Sequence, residues 1–241
     1  MDIASSSNAI PLPTRILRLQ PRRSALVCLP VGGAVALLVR GNIEAVVDVS
    51  VGCSALVCAG SRHVDVLVDR RARVLSTHEL HTLLAFHDYA TSYAETFGVV
   101  SAASTVVALP CASQQAQQWV IQQLMGRTDA LGQFAAYLRS SEIYQVVRFV
   151  LSHPNMNVQQ LAARYGLSLA QFRRLTTRAF GRPLKERLRL LRASRALQQC
   201  AQGGDSLTTV AHDTGYASAS HLCCDIKALL GCSPRTIFQR N

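Results

Sequence analysis

Three groups of side chains in this sequence carry chemistry. His78, His81 and His87 with Asp88 offer imidazoles and a carboxylate for a metal or a general base. His78-Glu79-Leu80-His81 is one residue short of the H-E-x-x-H spacing that puts two imidazoles on one helix face, so ordinary surface or core histidines are the favoured reading. His221, Cys223, Cys224 and Cys232 form a second group, which as a zinc site would need one helix to expose His221 and Cys224 together. The third group is Arg173, Arg174, Arg178, Lys185, Arg187, Arg189, Arg192 and Arg195. Guanidinium forks match guanine O6/N7 or backbone phosphates, so this group predicts contact with nucleic acid.

The elements that must position these cations are legible. Val158 to Tyr165 reads as a short helix, Gly166-Leu167-Ser168 as a turn and Leu169 to Phe180 as a second helix. Gly166 suits a left-handed helix end, Ser168 can cap the next helix, and the small Ala162 lets the two helices cross closely. This is helix-turn-helix grammar, with the second helix aimed at the major groove. Phe172, Leu175, Ala179 and Phe180 face inward, leaving Leu169, Ala170, Arg173, Arg174, Thr177 and Arg178 outward. Arg174 lies beside the apolar seam and suits phosphate or scaffold, whereas Arg173 with Ala170 and Thr177 suits base edges. Pro183 opens a linker helix, Leu184 to Gln199, bearing Lys185, Arg189 and Arg192 as phosphate contacts. The unit then repeats: Val158, Leu161, Ala162 and Gly166 recur 49 residues later as Leu207, Val210, Ala211 and Gly215. A second head is expected over Leu207 to Thr214 and Ser218 to Leu230, reading through Ser218, Ser220 and His221.

Upstream, the text from Ser24 to about His87 is rich in valine and punctuated by glycine. Val35 to Val39, Ala45 to Val49 and His63 to Val68 read as strands of a half-buried sheet or small barrel. Gln114 to Leu124 and Thr128 to Leu138 have helical spacing and close this domain. Trp119, Leu124, Leu131, Phe134 and Leu138 read either as its core or as a dimer or partner surface. Ile143, Val146, Val147 and Val150 define a further helix that stops at His153-Pro154. The expected fold class is α+β, with a flexible tail over 1–20, a β-rich N-terminal domain with closing helices over 21–139, and an all-α C-terminal domain over 140–241. Within the last, helix-turn-helix one spans 157–181, the linker helix 183–199 and helix-turn-helix two 206–231.

Composition supports this division. Of 241 residues 49% are apolar, which excludes a disordered chain, and the formal net charge is +11. Residues 140–241 hold 14 basic and 5 acidic side chains, whereas residues 1–139 are nearly balanced at 11 and 9. Between 164 and 195 there are ten basic residues and one acid, so a polyanion is expected there. The longest uncharged run, Ser24 to Val39, is 16 residues broken by Pro30, Gly32 and Gly33, short of the roughly 20 that a bilayer needs. Met1 to Asn8 lacks a secretory pattern, so a cytoplasmic location is expected, with the eight cysteines as buried thiols. No catalytic residue, metal or cofactor is assigned, and no membrane partner.

The C-terminal hundred residues resemble the AraC/XylS family of transcriptional regulators. The resemblance is carried by Leu161-Ala162 with Gly166 and Ser168, by Arg189-Leu190 with Ala193 and Ala196-Leu197, and above all by Gly215-Tyr216-Ala217-Ser218-Ala219-Ser220-His221-Leu222 running to Lys227 and Gly231-Cys232-Ser233-Pro234. It implies two helix-turn-helix units binding double-stranded promoter DNA, and activation through RNA polymerase. Cys224 stands where the family commonly has arginine, and Ile226 and Thr176 where it prefers phenylalanine. The second head, 205–241, has three basic and three acidic side chains, so binding should be anchored by the first head and the linker, while the second head either reads weakly through Ser218, Ser220 and His221 or contacts polymerase. The N-terminal part resembles the activators of type III secretion genes, the InvF, MxiE and BsaN group, which implies a tetratricopeptide-type secretion chaperone as coactivator. Two alternatives stand beside it: a small-molecule-sensing N-terminal domain, and a DNA-repair enzyme fused to the same module. The latter needs a cysteine-rich zinc cluster, which the irregular spacing of Cys28, Cys53, Cys58 and Cys111 does not support.

Overall fold

Period-two patterning builds the first part of the molecule. In the computed structural model, which describes residues 14–21, 23–92, 103–127, 131–203 and 206–238, the chain divides into two compact units, Met1–Tyr144 and Gln145–Asn241. The first unit contains β1 (Thr14–Leu19), β2 (Ser24–Cys28), β3 (Gly33–Val39), β4 (Asn42–Val49), β5 (Cys53–Cys58), β6 (Val64–Asp69), β7 (Arg73–Ser76) and β8 (Thr105–Ala112). They form two antiparallel four-stranded sheets, ordered β1-β6-β3-β4 and β7-β2-β5-β8. Alternate residues, Val35, Leu37 and Val39 on β3 and Val64, Val66 and Val68 on β6, join Val27, Leu29, Ala55 and Val57 in one core. The remaining residues of β2 and β5 are buried as well, because Leu26 and Leu56 meet Leu80 of α1 (His78–Ala90) and Val120 of α2 (Ala116–Gly126). The next helix is α3 (Gly132–Arg139).

The structure departs from the sequence expectations for this unit, adds a strand to them and decides between two readings. A flexible tail is expected over residues 1–20, but residues 14–19 are the edge strand β1, whose Leu17 and Leu19 pack on the core. Pro13 and Pro21 bound that strand rather than break it, since proline is tolerated beside an edge; residues 1–13 lie outside the described residues. The stretch ending near His87 is helical from His78, because Leu80, His81, Leu84, Ala85 and Asp88 share one buried face. Thr105–Ala112 is a strand despite Pro110, which an edge position with a bulge opposite Cys53 and Ala55 accommodates. Finally, Leu124, Leu131, Phe134 and Leu138 are at most 4% exposed, so they are core and offer no face to a partner, leaving only Trp119 half-exposed. Of the helix expected from Thr128, residues 128–130 lie outside the described residues.

A polar knot ties α1 to Arg139, Ser141 and Tyr144. Asp88, with no exposed surface, accepts hydrogen bonds from Arg139 Nε at 2.8 Å and from Tyr144 Oη at 2.8 Å. Burial pushes the Asp88 carboxyl up, but the Arg139 and Tyr144 bonds and the Arg139 charge outweigh it, so the net shift is downward. His81 Nδ1 lies 2.6 Å from Ser141 Oγ, and burial depresses its pKa to about 4. His81 and Asp88 are thus engaged in hydrogen bonds within the first unit.

The second unit is helical: α4 (Glu142–Ser152, whose first turn belongs to the first unit), α5 (Val158–Tyr165), α6 (Leu169–Phe180), α7 (Leu184–Gln202), α8 (Leu207–Asp213), α9 (Ala219–Leu230) and α10 (Pro234–Phe238). α4 buries Val146, Val147 and Val150 at helical spacing. α7 runs three residues beyond the expected Gln199. Among the described residues, no helix is long and apolar enough to cross a membrane.

Candidate nucleic-acid interface

The internal repeat becomes two copies of one local geometry. Asn157 and Ser206 cap the leading helices α5 and α8, and Ser168 and Ser218 cap the trailing helices α6 and α9, each side chain accepting a backbone N–H three residues on. Gly166 and Gly215 take the turns at φ +81 and +78, a conformation that L side chains resist. The next residue of each turn, Leu167 or Tyr216, donates back to the carbonyl of Ala162 or Ala211. Matched residues are buried: Leu161 with Val210, Ala162 with Ala211, Phe172 with Leu222. The structure therefore holds two helix-turn-helix heads joined by α7.

Phe172, Leu175, Ala179 and Phe180 are buried on α6, with Thr176, whose hydroxyl donates to the Phe172 carbonyl. That internal bond satisfies the hydroxyl at the position where a phenylalanine is expected. On the opposite side Ala170, Arg173, Arg174, Thr177 and Arg178 are exposed and Leu169 is half-exposed. In the second head Ser218, Ser220 and His221 are exposed, the His221 ring held edge-on to Tyr216 at 5.3 Å.

A groove of about 990 Å³ brings the two heads and the linker together. Arg173 and Thr177 of α6, Lys185, Arg189 and Arg192 of α7, and His221 of α9 line it. Six of the twelve residues expected to touch DNA thus share one concavity, while Leu169, Ala170, Arg174, Arg178, Ser218 and Ser220 lie outside its lining. Asn157, Gln159, Glu186 and Asp225, which sequence reading did not assign, complete the wall. For Asn157 a signal existed, because Asn157 and Gln160 form a reciprocal capping box that marks a helix start.

The linker cations are not equivalent. Lys185 is exposed. Arg187 Nη2 donates to the Phe180 carbonyl at 3.0 Å and so closes the end of α6. Arg189 Nε donates to Asp225 Oδ1 at 2.5 Å, and Arg192 sits 5.4 Å from the centre of the Tyr216 ring. Two of the three linker residues expected to touch phosphate thus also hold the second head.

The eight cysteines are free thiols, but only Cys28 and Cys58 are buried and Cys224 is exposed, which corrects the expectation that all eight are buried. Cys58 is buried, and burial pushes its pKa up to about 12, which leaves it unreactive at neutral pH. Among the described residues no group of three or more His, Cys, Asp or Glu side chains is placed to hold a metal ion.

Comparison with known proteins agrees with the second unit's geometry. Residues 161–240 match the helix-turn-helix domain family. The chain is 34% identical over 171 residues to the invasion protein InvF of Salmonella typhimurium and of Salmonella typhi, covering 68% of this chain and 79% of InvF. It is 33% identical over 106 residues to the transcriptional regulator MxiE of Shigella flexneri, covering 42% of this chain and 50% of MxiE. ToxT from Vibrio cholerae aligns over 93% of this chain and 96% of its own at 10% identity, with a TM-score of 0.34, too loose a superposition to build on. Two helix-turn-helix heads on one linker helix, with identity to InvF over two thirds of the chain, place it in the AraC/XylS family of transcriptional regulators, in the group that includes InvF and MxiE.

Proposed function

We propose that the chain is a cytoplasmic activator that reads an asymmetric promoter site of type III secretion genes with α6 as the main reader and α9 as a weaker one. The observation that carries this reading is the single groove onto which Arg173, Thr177, Lys185, Arg192 and His221 converge from three helices. Arg173 is the base-reading residue, with Ala170 and Thr177 beside it. Arg174, Arg178 and Lys185 hold phosphates, and Leu169, Ser218 and Ser220 flank the two readers. The charge of the helices supports this division, since the net excess of cations lies between residues 164 and 195.

The first unit receives the activating signal, through a tetratricopeptide-type secretion chaperone as coactivator, while the DNA-binding unit presents a surface to RNA polymerase. The side chains of Val27, Leu29, Val35, Leu37, Val57 and Val66 fill the space between the sheets, which favours a protein signal over a small ligand held there. A repair enzyme would need an accessible thiol in the first unit, where Cys28 and Cys58 are buried and Cys53 and Cys111 half-buried.

Paired substitutions test the reading. Arg173→Ala should cost about 1–3 kcal/mol of binding and relax base preference at one position of a selected duplex, whereas Lys185→Ala should weaken binding to all sequences alike and lower the salt slope by about one. Unchanged affinity and footprint in Arg173→Ala would overturn the assignment of α6 as reader.

A further inference from the structure

We infer that Asp225 is a positioning residue that sets the register between the two DNA-reading heads, through a three-membered clamp with Arg189 and Tyr216. This rests on the reading that both heads engage one duplex.

The apolar contact between the linker and the second head does not define a register by itself. Its buried residues are Ala193 and Ala196 on α7 and Val210, Ala211, Tyr216, Leu222 and Ile226 of the second head, with Leu197 and Cys200 of α7 and Leu207, Leu229 and Ile237 packed against them. Apolar contact is non-directional, so small rotations of α9 on α7 are opposed less strictly by it than by hydrogen bonds. Hydrogen bonds are directional and do not tolerate such motion. Asp225 supplies them on both sides: Oδ1 accepts from Arg189 Nε of α7, and Oδ2 accepts from Tyr216 Oη at 2.9 Å. Tyr216 lies in the turn of the second head, so one carboxylate joins the linker, the turn and the reading helix. Arg192, over the Tyr216 ring, holds the same tyrosine from the other side.

The position of this carboxylate argues for a purpose. It stands in the wall of the cationic groove, where an acid opposes phosphate, with its side chain 12% exposed and Arg189 45% exposed. Fixing one register among several is the best-attested use of a polar group placed within an apolar contact. The distance between α6 and α9, and therefore the spacing of the two half-sites, depends on the register in which α9 sits on α7.

The test uses the full chain and a duplex selected by the wild-type protein from a randomised pool, with a second duplex carrying one base pair inserted between the half-sites. The insertion rotates one half-site by about 34° relative to the other. Wild type should lose about tenfold in affinity on the longer duplex. Asp225→Asn should lose no more than about threefold, because its second head is free to adjust, while its footprint over the first half-site is retained. Tyr216→Phe, which removes one hydroxyl, should shift the ratio in the same direction by less. A variant that merely lowered stability would weaken binding to both duplexes equally. Equal spacer penalties in wild type and Asp225→Asn would overturn the clamp alone. A selected duplex protected over only one half-site would overturn the two-headed reading, and the clamp with it.

Discussion

At the residue scale, the side chains that look most like a catalytic or metal group are those that hold the fold. His81 and Asp88 both sit on the buried face of α1, and their partners Ser141, Arg139 and Tyr144 lie 60, 51 and 56 residues further along. Nothing local announces those pairings, which is why the sequence alone does not show what holds these side chains inside. The depressed His81 pKa makes a pH prediction. Burial keeps the folded imidazole neutral down to about pH 4, while the unfolded imidazole protonates near 6.5. Protons then favour the unfolded chain, so the stability of the first unit is fully present above about pH 6.5 and falls as pH drops towards 4, by on the order of 3 kcal/mol. Asp88, shifted below its ordinary value, adds to the loss at lower pH still. Urea midpoints measured between pH 7 and 4 should decline in wild type, and more shallowly in His81→Leu. Parallel declines would show that His81 is not the group responsible.

At the element scale, legibility depends on how each element is stabilised. α5 and α6 are readable because caps, turn glycine and apolar spacing all lie within about 25 consecutive residues and agree with one another. α1 escapes a sequence reading because His81 and Asp88 interrupt its apolar stripe, and only distant partners make them acceptable inside. β1 escapes it because two prolines flank the strand. The same logic makes the caps testable. Ser168 accepts from Gln171 N while Gln171 Oε1 accepts from Ser168 N, so Ser168→Ala should cost the second unit about 1 kcal/mol, measured by its denaturant midpoint. A loss well under half of that would mean water replaces the cap without penalty.

At the scale of the whole molecule, the charge pattern is a sound guide to where nucleic acid binds and a poor guide to which cations bind it. The excess on residues 140–241 locates the interface, but Arg187 and Arg189 are engaged within the unit, by Phe180 and Asp225. Sequence composition counts a guanidinium without showing what it faces. The proposed receipt of a protein signal by the nearly balanced first unit is open to a direct test. Affinity capture of the full chain from its native host should recover a tetratricopeptide-type chaperone, and capture of a chain lacking residues 1–139 should not. Equal recovery with both would move the coactivator site to the DNA-binding unit.

The edge strand β1 bears on how the protein can be handled. It covers β6 along six residue pairs, from Thr14 with Asp69 to Leu19 with Val64. Shortening the chain at residue 20 would strip that cover, exposing the unpaired backbone of β6 and the flank of the valine core beneath Leu17 and Leu19. A bare, valine-rich edge is a template for a second copy of the same strand. Such a shortened protein should therefore aggregate on concentration even though every helix that reads DNA is intact.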